Sequence, residues 1–359
     1  MREREHEGGG VVFLSVVMPS LNSSLTIEAQ LRALLAQSWS GDWEIIIADN
    51  GSTDGTRAIV ERYCANSPRL RLIDASARRG AAYARNAGVR AARGEVVAFC
   101  DADDEVTPDW VAAMASALER HDFVASRMDV TKLNPEWLAK SLNNVQGKEL
   151  RRTFYPPYLK HAGSSGMGIK RAIHETVGGF DESLPQREDT DYCFRLQLQG
   201  VDLFFASDAL IHVRYRESSK ALFRQAREWG YYYELLYKRY GRGPIPHGHC
   251  WGGYLWTWWV LLRTWRRLFS SETRPAWMKA AGTQVGLLQG AIRFGVPPIC
   301  EPTATLSSVN SFMVASAAIG LTPSSSLHAR VQSSQTQGTT QAERETLNRT
   351  RSEKREWVP

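Results

Sequence analysis

The pattern of the chain begins with Val11 to Val17 (VVFLSVV), an apolar, β-branched run without alternation, as expected of a strand covered on both faces. Met18-Pro19-Ser20-Leu21-Asn22 should break it. Ile27, Leu31, Leu34 and Leu35 follow at helical spacing, with Thr26 as the N-cap. Glu44 to Ala48 (EIIIA) reads as a second buried strand. It runs into the polar turn Asp49-Asn50-Gly51-Ser52-Thr53-Asp54-Gly55, which opens a helix carrying Ile59, Val60 and Tyr63. Leu70 to Ile73 is a short third strand, Ala81 to Ala92 a helix, and Glu95 to Cys100 (EVVAFC) a fourth strand.

Strands alternating with helices predict an α/β fold, a mostly parallel central sheet flanked by helices. Ligands of such sheets bind beyond the carboxyl ends of the strands. The loops after Val17, Ala48 and Cys100 should therefore converge, and they carry Asn22, Asp49 and Asp101. After Trp110 the pattern loosens. Ser164 to Lys170 is glycine-rich and is a candidate to return to the sheet. Glu188 to Gln199 reads as a helix stopped by Gly200, and Leu203 to Ala206 and Leu210 to Val213 as two short strands. Leu222, Gln225, Ala226, Trp229, Tyr232, Tyr233 and Leu236 track one helical face up to Gly241. The expected domains are a short flexible N-terminus (1–10), a catalytic domain (11–215), a helical extension (216–300) and a low-complexity tail (301–359). From Thr322 that tail is rich in Ser, Thr, Gln and Arg without a hydrophobic period, the composition of disorder.

Composition changes this picture little. With 359 residues, 43% hydrophobic and 23% charged, the chain is ordinary for a globular protein. A net charge of +6 suits an anionic substrate, a membrane surface or nucleic acid without choosing among them. Five scattered cysteines without a CxxC pair fit a reducing compartment. Met1 to Gly10 lacks the apolar core of a signal peptide. Tyr254 to Leu262 and Ser311 to Leu321 fall short of the roughly 18 apolar residues a spanning helix needs. The expectation is a cytoplasmic protein, at most seated on the inner face of a membrane.

Asp101-Ala102-Asp103-Asp104 is the densest chemical signal. In extended backbone, residues i and i+2 point the same way, so Asp101 and Asp103 would face one ligand. Two hard oxygen donors at that spacing suit Mg²⁺ or Mn²⁺, which binds one or two carboxylates plus phosphate oxygens. The competing reading is a solvated acidic turn capping the helix near Pro108. Position favours the metal, because the motif follows a buried strand at the ligand edge.

Five segments together resemble glycosyltransferase family 2: VVMPSLN with 17–22 at its core, EIIIADNGSTDGT (44–56), ARRGAAYARNAGVRAARGEVVAFCDADD (77–104), VGGFDESLPQREDTDYCFRLQLQG (177–200) and ALIHVRY (209–215). The resemblance implies the GT-A fold, a nucleotide-sugar donor and a divalent metal. It assigns Pro19, Ser20 and Asn22 to the loop touching base and ribose, and Asp49, with Asn50 in place of a second acid, to the base. Arg79 or Arg85 would meet nucleotide or phosphates. Asp101-Ala102 would lie on the ribose side, with Asp103 as the stronger metal ligand and His212 as a further one. In the second acidic cluster the resemblance makes Asp189 the general base, with Glu188 next and Asp191 third. Acids there also fit the first turn of any helix, where they complement the macrodipole. Gly166 and Phe180, within glycine-rich stretches, and Asp191 would border the acceptor.

The implied reaction is an inverting transfer from a UDP-, dTDP- or GDP-sugar to a glycan or lipid-linked acceptor of the cell envelope. A nicotinamide enzyme would need GxGxxG after the first strand, and a sugar-phosphate nucleotidyltransferase a glycine-rich basic loop there; Met18 to Asn22 holds no glycine. A non-catalytic nucleotide-sugar-binding module is the remaining alternative, and two intact acidic clusters argue against it. Trp251, Trp256, Trp258, Trp259, Trp265 and Trp277 crowd beside Arg263, Arg266 and Arg267, which fits either helix packing or a membrane interface. No recognised nucleic-acid motif accompanies the charge.

Overall fold

The computed structural model describes residues 13–300, apart from 142–143, 244 and 246–249. The expectations for the first ten residues, for Ser311 to Leu321 and for the tail lie outside the described residues. The first half runs β1 (Leu14–Ser20), α1 (Ile27–Leu35), β2 (Trp43–Asp49), α2 (Thr56–Asn66), β3 (Leu70–Asp74), α3 (Ala81–Ala91) and β4 (Val96–Phe99). Next come β5 (Glu105–Val106), α4 (Trp110–Arg120), β6 (Phe123–Asp129), α5 (Glu136–Ser141), β7 (Arg151–Arg152), β8 (Lys160–His161) and β9 (Met167–Lys170). Then α6 (Arg171–Thr176), α7 (Glu188–Leu198) and β10 (Phe204–His212) lead into three helices, α8 (Ser219–Tyr240), α9 (Trp251–Arg263) and α10 (Arg274–Phe294).

Eight strands form one sheet in the order β3-β2-β1-β4-β9-β6-β10-β5, and β7 pairs with β8 in a small ribbon. Alternate residues of the central strands feed two cores. Val16, Met18, Ile45 and Ile47 pack with α1 and α4 on one face. Val17, Ile46, Val97 and Phe99 pack with α7 on the other. That is why EIIIA shows no polar alternation: both faces are covered.

The sheet is the helix-flanked, mostly parallel one expected, with β9 returning antiparallel between β4 and β6 and β5 antiparallel to β10. The structure corrects the sequence reading in three places. First, β1 does not break at Met18 but continues through Pro19 in parallel register with β2. Proline is tolerated there because β4 pairs only with Leu14 to Val17, so its missing N–H forfeits no bond on that side. The two short strands near 203–213 are one strand with a register shift between Ala206 and Leu210. Finally, Thr26 sits at the start of α1 without capping it through its side chain; its hydroxyl donates to the Ser23 carbonyl.

The C-terminal helices meet along a glycine stripe. A Cβ at Gly282, Gly286 or Gly290 of α10 would stand 2.4, 2.0 or 2.6 Å from the carbonyl oxygens of Phe223, Arg227 and Tyr231 on α8. Only glycine lets the two backbones come that close. This brings α8 and α10 together as one layer.

Candidate active site

The ligand edge of the sheet forms where β2, β1 and β4 end side by side. The Asn50 N–H donates to the Ser20 carbonyl, and Ser52 Oγ and the Asn22 carboxamide cross-link the two loops. Asp49 is buried, with Oδ1 accepting from the Ser52 N–H, and Ser20 Oγ beside it is buried without a hydrogen-bond partner among the described residues. Pro19 is half-buried at the same edge. Asn50 departs from its expected role: its carboxamide donates to the carbonyls of Ala75 and Arg78 and accepts from the Gly80 N–H. Both N–H donors and one acceptor site hold the 75–80 loop. Arg79, exposed, donates to the carbonyls of Asn50 and Gly51 at the rim.

After β4, the carboxylates of Asp101, Asp103 and Asp104 offer oxygens within 4.8 Å of one another. They differ in availability. Asp104 is buried, with one oxygen bonded to the Arg214 N–H and the other to the Ser165 hydroxyl. Burial and the neighbouring Asp101 and Asp103 push its carboxyl well above the usual range. Asp103 is exposed and Asp101 half-buried, so these two are the accessible hard donors. Three crowded carboxylates with two accessible oxygen ligands fit a divalent cation. Ala102 points into the core and adds no side-chain donor. His212 is not part of this group; its Nδ1 lies 2.8 Å from Asp129 Oδ2.

The two acidic clusters, far apart in sequence, are joined by Arg85. Its guanidinium, 3% exposed on α3, donates to Asp101 Oδ1 at 2.8 Å and to Glu188 Oε1 at 2.9 Å. The Phe180 ring lies 5.7 Å from the guanidinium carbon. Burial and the adjacent Asp189 push Glu188 up to about 7, against the pull of Arg85. Asp189 spends Oδ1 on the N–H and hydroxyl of Thr190, and its Oδ2 has no partner among the described residues.

Three expected acceptor residues are elsewhere. Phe180 is 1% exposed, stacked on Tyr192 and edge-on to Phe99, so it is a core residue beneath Arg85. Asp191 is fully buried and bonded to Arg195, Arg239 and Tyr240, which ties α7 to α8. Gly166 has φ +85, and a Cβ there would stand 2.7 Å from that of Ser126. Glycine is needed there for the turn that leads into β9. Asp104 and Arg214 lie in the resembling segments without an assigned role and Ser165 lies in none; a third acid after the motif is the available signal.

A glycosyl transferase family 2 model matches residues 15–178. This stretch is a family 2 glycosyltransferase domain. The helix-flanked sheet with helices at the C-terminus is the fold expected of that family. The chain is 39% identical over 125 residues to the uncharacterized glycosyltransferase YibD of Escherichia coli K12, covering 34% of each chain. It is 29% identical over 152 residues to WfgD of Escherichia coli, a UDP-Glc:alpha-D-GlcNAc-diphosphoundecaprenol beta-1,3-glucosyltransferase, covering 42% of this chain and 56% of WfgD. The chain therefore spans about a third to just over half of these relatives. The mannosyltransferase PcManGT of Pyrobaculum calidifontis, solved with GDP-Man and Mn²⁺, is 20% identical with a TM-score of 0.49, covering 84% of this chain and 80% of that one.

The raised Glu188 carboxyl has a sign that can be checked. Between its ordinary 4.5 and about 7 the folded protein binds more protons there than the unfolded chain, so this group's contribution to stability falls as pH rises through that window. Urea unfolding at pH 5 and pH 7.5 should show that loss in the wild type and a flatter dependence in Glu188→Gln. Equal pH dependence of the two proteins would contradict the placement of Glu188.

Proposed function

We propose that the chain is a glycosyltransferase that moves a sugar from a nucleoside-diphosphate sugar to an acceptor hydroxyl in cell-envelope glycan synthesis, by a single metal-assisted displacement with inversion. The observation that carries this reading is the Arg85 bridge. It holds Asp101, within the family 2 stretch and beside the carboxylates suited to a cation, against the start of α7, which lies beyond that stretch and carries Asp189.

Each residue has a task. Ser20, Asn22 and Asp49 line the loops for base and ribose. Asp101 and Asp103 would hold the divalent cation, Mn²⁺ or Mg²⁺, with His212, which stands outside that carboxylate group, as the further ligand the family resemblance implies. When bound, the cation supplies positive charge where the diphosphate leaves. Asp189 Oδ2 takes the proton of the acceptor hydroxyl while that oxygen bonds to the anomeric carbon and the bond to the diphosphate oxygen breaks. One displacement inverts that carbon. A carboxyl near 7 would ordinarily nominate Glu188 as the base. Arg85 engages its Oε1, and the reading gives Glu188 the task of positioning Arg85. The donor is a UDP-, dTDP- or GDP-sugar, and similarity to WfgD supports an acceptor linked to lipid diphosphate.

The same reading seats the protein on a membrane surface. Among the described residues no helix is long and apolar enough to cross a membrane. Yet α9 exposes Trp251, Leu255, Trp256, Trp259 and Leu262 along one face, with exposed Arg263 and Arg266 beside them. Tryptophan over apolar residues with arginine at the margin suits the headgroup boundary of an anionic bilayer.

Asp189→Asn should retain donor binding and lose transfer by a factor of about 10² to 10⁴; near-wild-type turnover would remove Asp189 as base. In vesicle flotation with anionic lipid, the wild type should float and the double variant Trp256→Ala/Trp259→Ala should stay in the soluble fraction. Equal flotation of both would sink the membrane seat.

A further inference from the structure

One residue before Glu188 the site turns outward. Arg187 is in the left-handed region, φ 65 and ψ 17, unusual for a residue with a long side chain. Its guanidinium carbon lies 5.0 Å from the Trp229 ring and 5.8 Å from that of Tyr233, both on α8. Its Nε is buried without a hydrogen-bond partner, and it makes no salt bridge among the described residues, although the Asp189 carboxylate two residues on attracts it. Lys279 of α10 approaches the same indole, with its ammonium 6.0 Å from Trp229 and 6.0 Å from Tyr215. It too has no ion pair among the described residues. Burial and the positive charges of Arg151 and Arg187 push it down to about 8. The indole N–H is committed to Gln186 Oε1, so Trp229 presents its face to the cations.

Like charges gathered in a partly desolvated aromatic setting oppose folding. They are tolerated where an anion is to be bound. We infer that Arg187 and Lys279, sharing the Trp229 indole next to Asp189, seat the phosphoryl group of the acceptor. This rests on the glycosyl-transfer reading and names the class of its acceptor: a phosphorylated or diphosphate-linked glycan.

Two features separate this seat from the donor's. Glu188 turns towards Arg85 and Asp101, hence towards the carboxylates assigned to the cation. Arg187 turns instead to α8, against which α10 packs and where Lys279 stands. A guanidinium fork with an ammonium point charge also carries more than one positive charge, which suits a phosphoryl dianion better than a single carboxylate.

The test uses the full chain and inorganic pyrophosphate as the probe, titrated by calorimetry in EDTA so that no cation sits at the carboxylates. The wild type should bind it, Lys279→Gln should bind about tenfold more weakly, and Lys279→Arg should restore most of the affinity. Glucuronate, a singly charged control, should bind more weakly than pyrophosphate. In parallel, a nucleotide-sugar with Mn²⁺ should stabilise wild type and Lys279→Gln equally in thermal denaturation. No pyrophosphate binding by the wild type, equal binding by Lys279→Gln, glucuronate binding as tight as pyrophosphate, or loss of donor stabilisation in Lys279→Gln would each overturn the inference. Pyrophosphate binding is read without turnover, so failure of the seat and failure of the transferase reading are separately visible.

Discussion

A buried guanidinium between two carboxylates governs the geometry of this protein's ligand edge. Desolvating Arg85 costs several kcal/mol, and two charge-assisted bonds to Asp101 and Glu188 offset that cost. The pair it joins comes from opposite parts of the fold, the end of a sheet strand and the start of a helix more than eighty residues later. Removing the guanidinium would leave two carboxylates near each other in a partly dry site, a change on the order of 3–5 kcal/mol. Much of the surrounding packing serves to hold that arginine. Phe180 lies against it, and Asn86 on the same helix pins the 179–182 loop through bonds to Phe180 and Glu182. At Gly179, φ is +69 and a Cβ would meet the Asn86 carboxamide at 2.6 Å, so glycine is required for that pinning.

The division of labour between the two acidic clusters follows from this constraint. Asp104 is sealed by Ser165 and Arg214, which leaves Asp101 and Asp103 facing outward. Glu188 gives Oε1 to Arg85 and Asp189 gives Oδ1 to Thr190, so the two differ in that Glu188 carries the ion pair. In the first cluster one acid is spent on structure, and in the second one acid anchors the bridge. A carboxyl displaced towards neutral pH is therefore not by itself a mark of the base; what the group is bonded to decides.

Much of this was legible in the chain. Buried strands without alternation and helices with clear periodicity gave β1 to β4 and their helices within a few residues, because local pattern and burial agree there. Long-range pairing was not legible. Nothing local says that Met167–Lys170 inserts antiparallel between β4 and β6, or that Phe204–His212 stays one strand across the polar Ser207-Asp208. Helix α10 falls inside the expected helical extension (216–300) without its own bounds, because Gly282, Gly286 and Gly290 weaken helix propensity while serving as its contact with α8. In the site, acids could be found by type and spacing. The structural roles of Asn50, Asp191, Phe180 and Gly166 could not, since each depends on a partner distant in sequence.

The central claim is that Asp101 and Asp103 hold a cation through which a nucleotide-sugar is bound. A thermal-denaturation panel of UDP-, dTDP- and GDP-sugars, with and without Mn²⁺, tests it most directly. At least one nucleotide-sugar should stabilise the wild type only when Mn²⁺ is present, and Asp103→Ala should lose that stabilisation. Stabilisation by none of them, or an unchanged response in Asp103→Ala, would contradict the account.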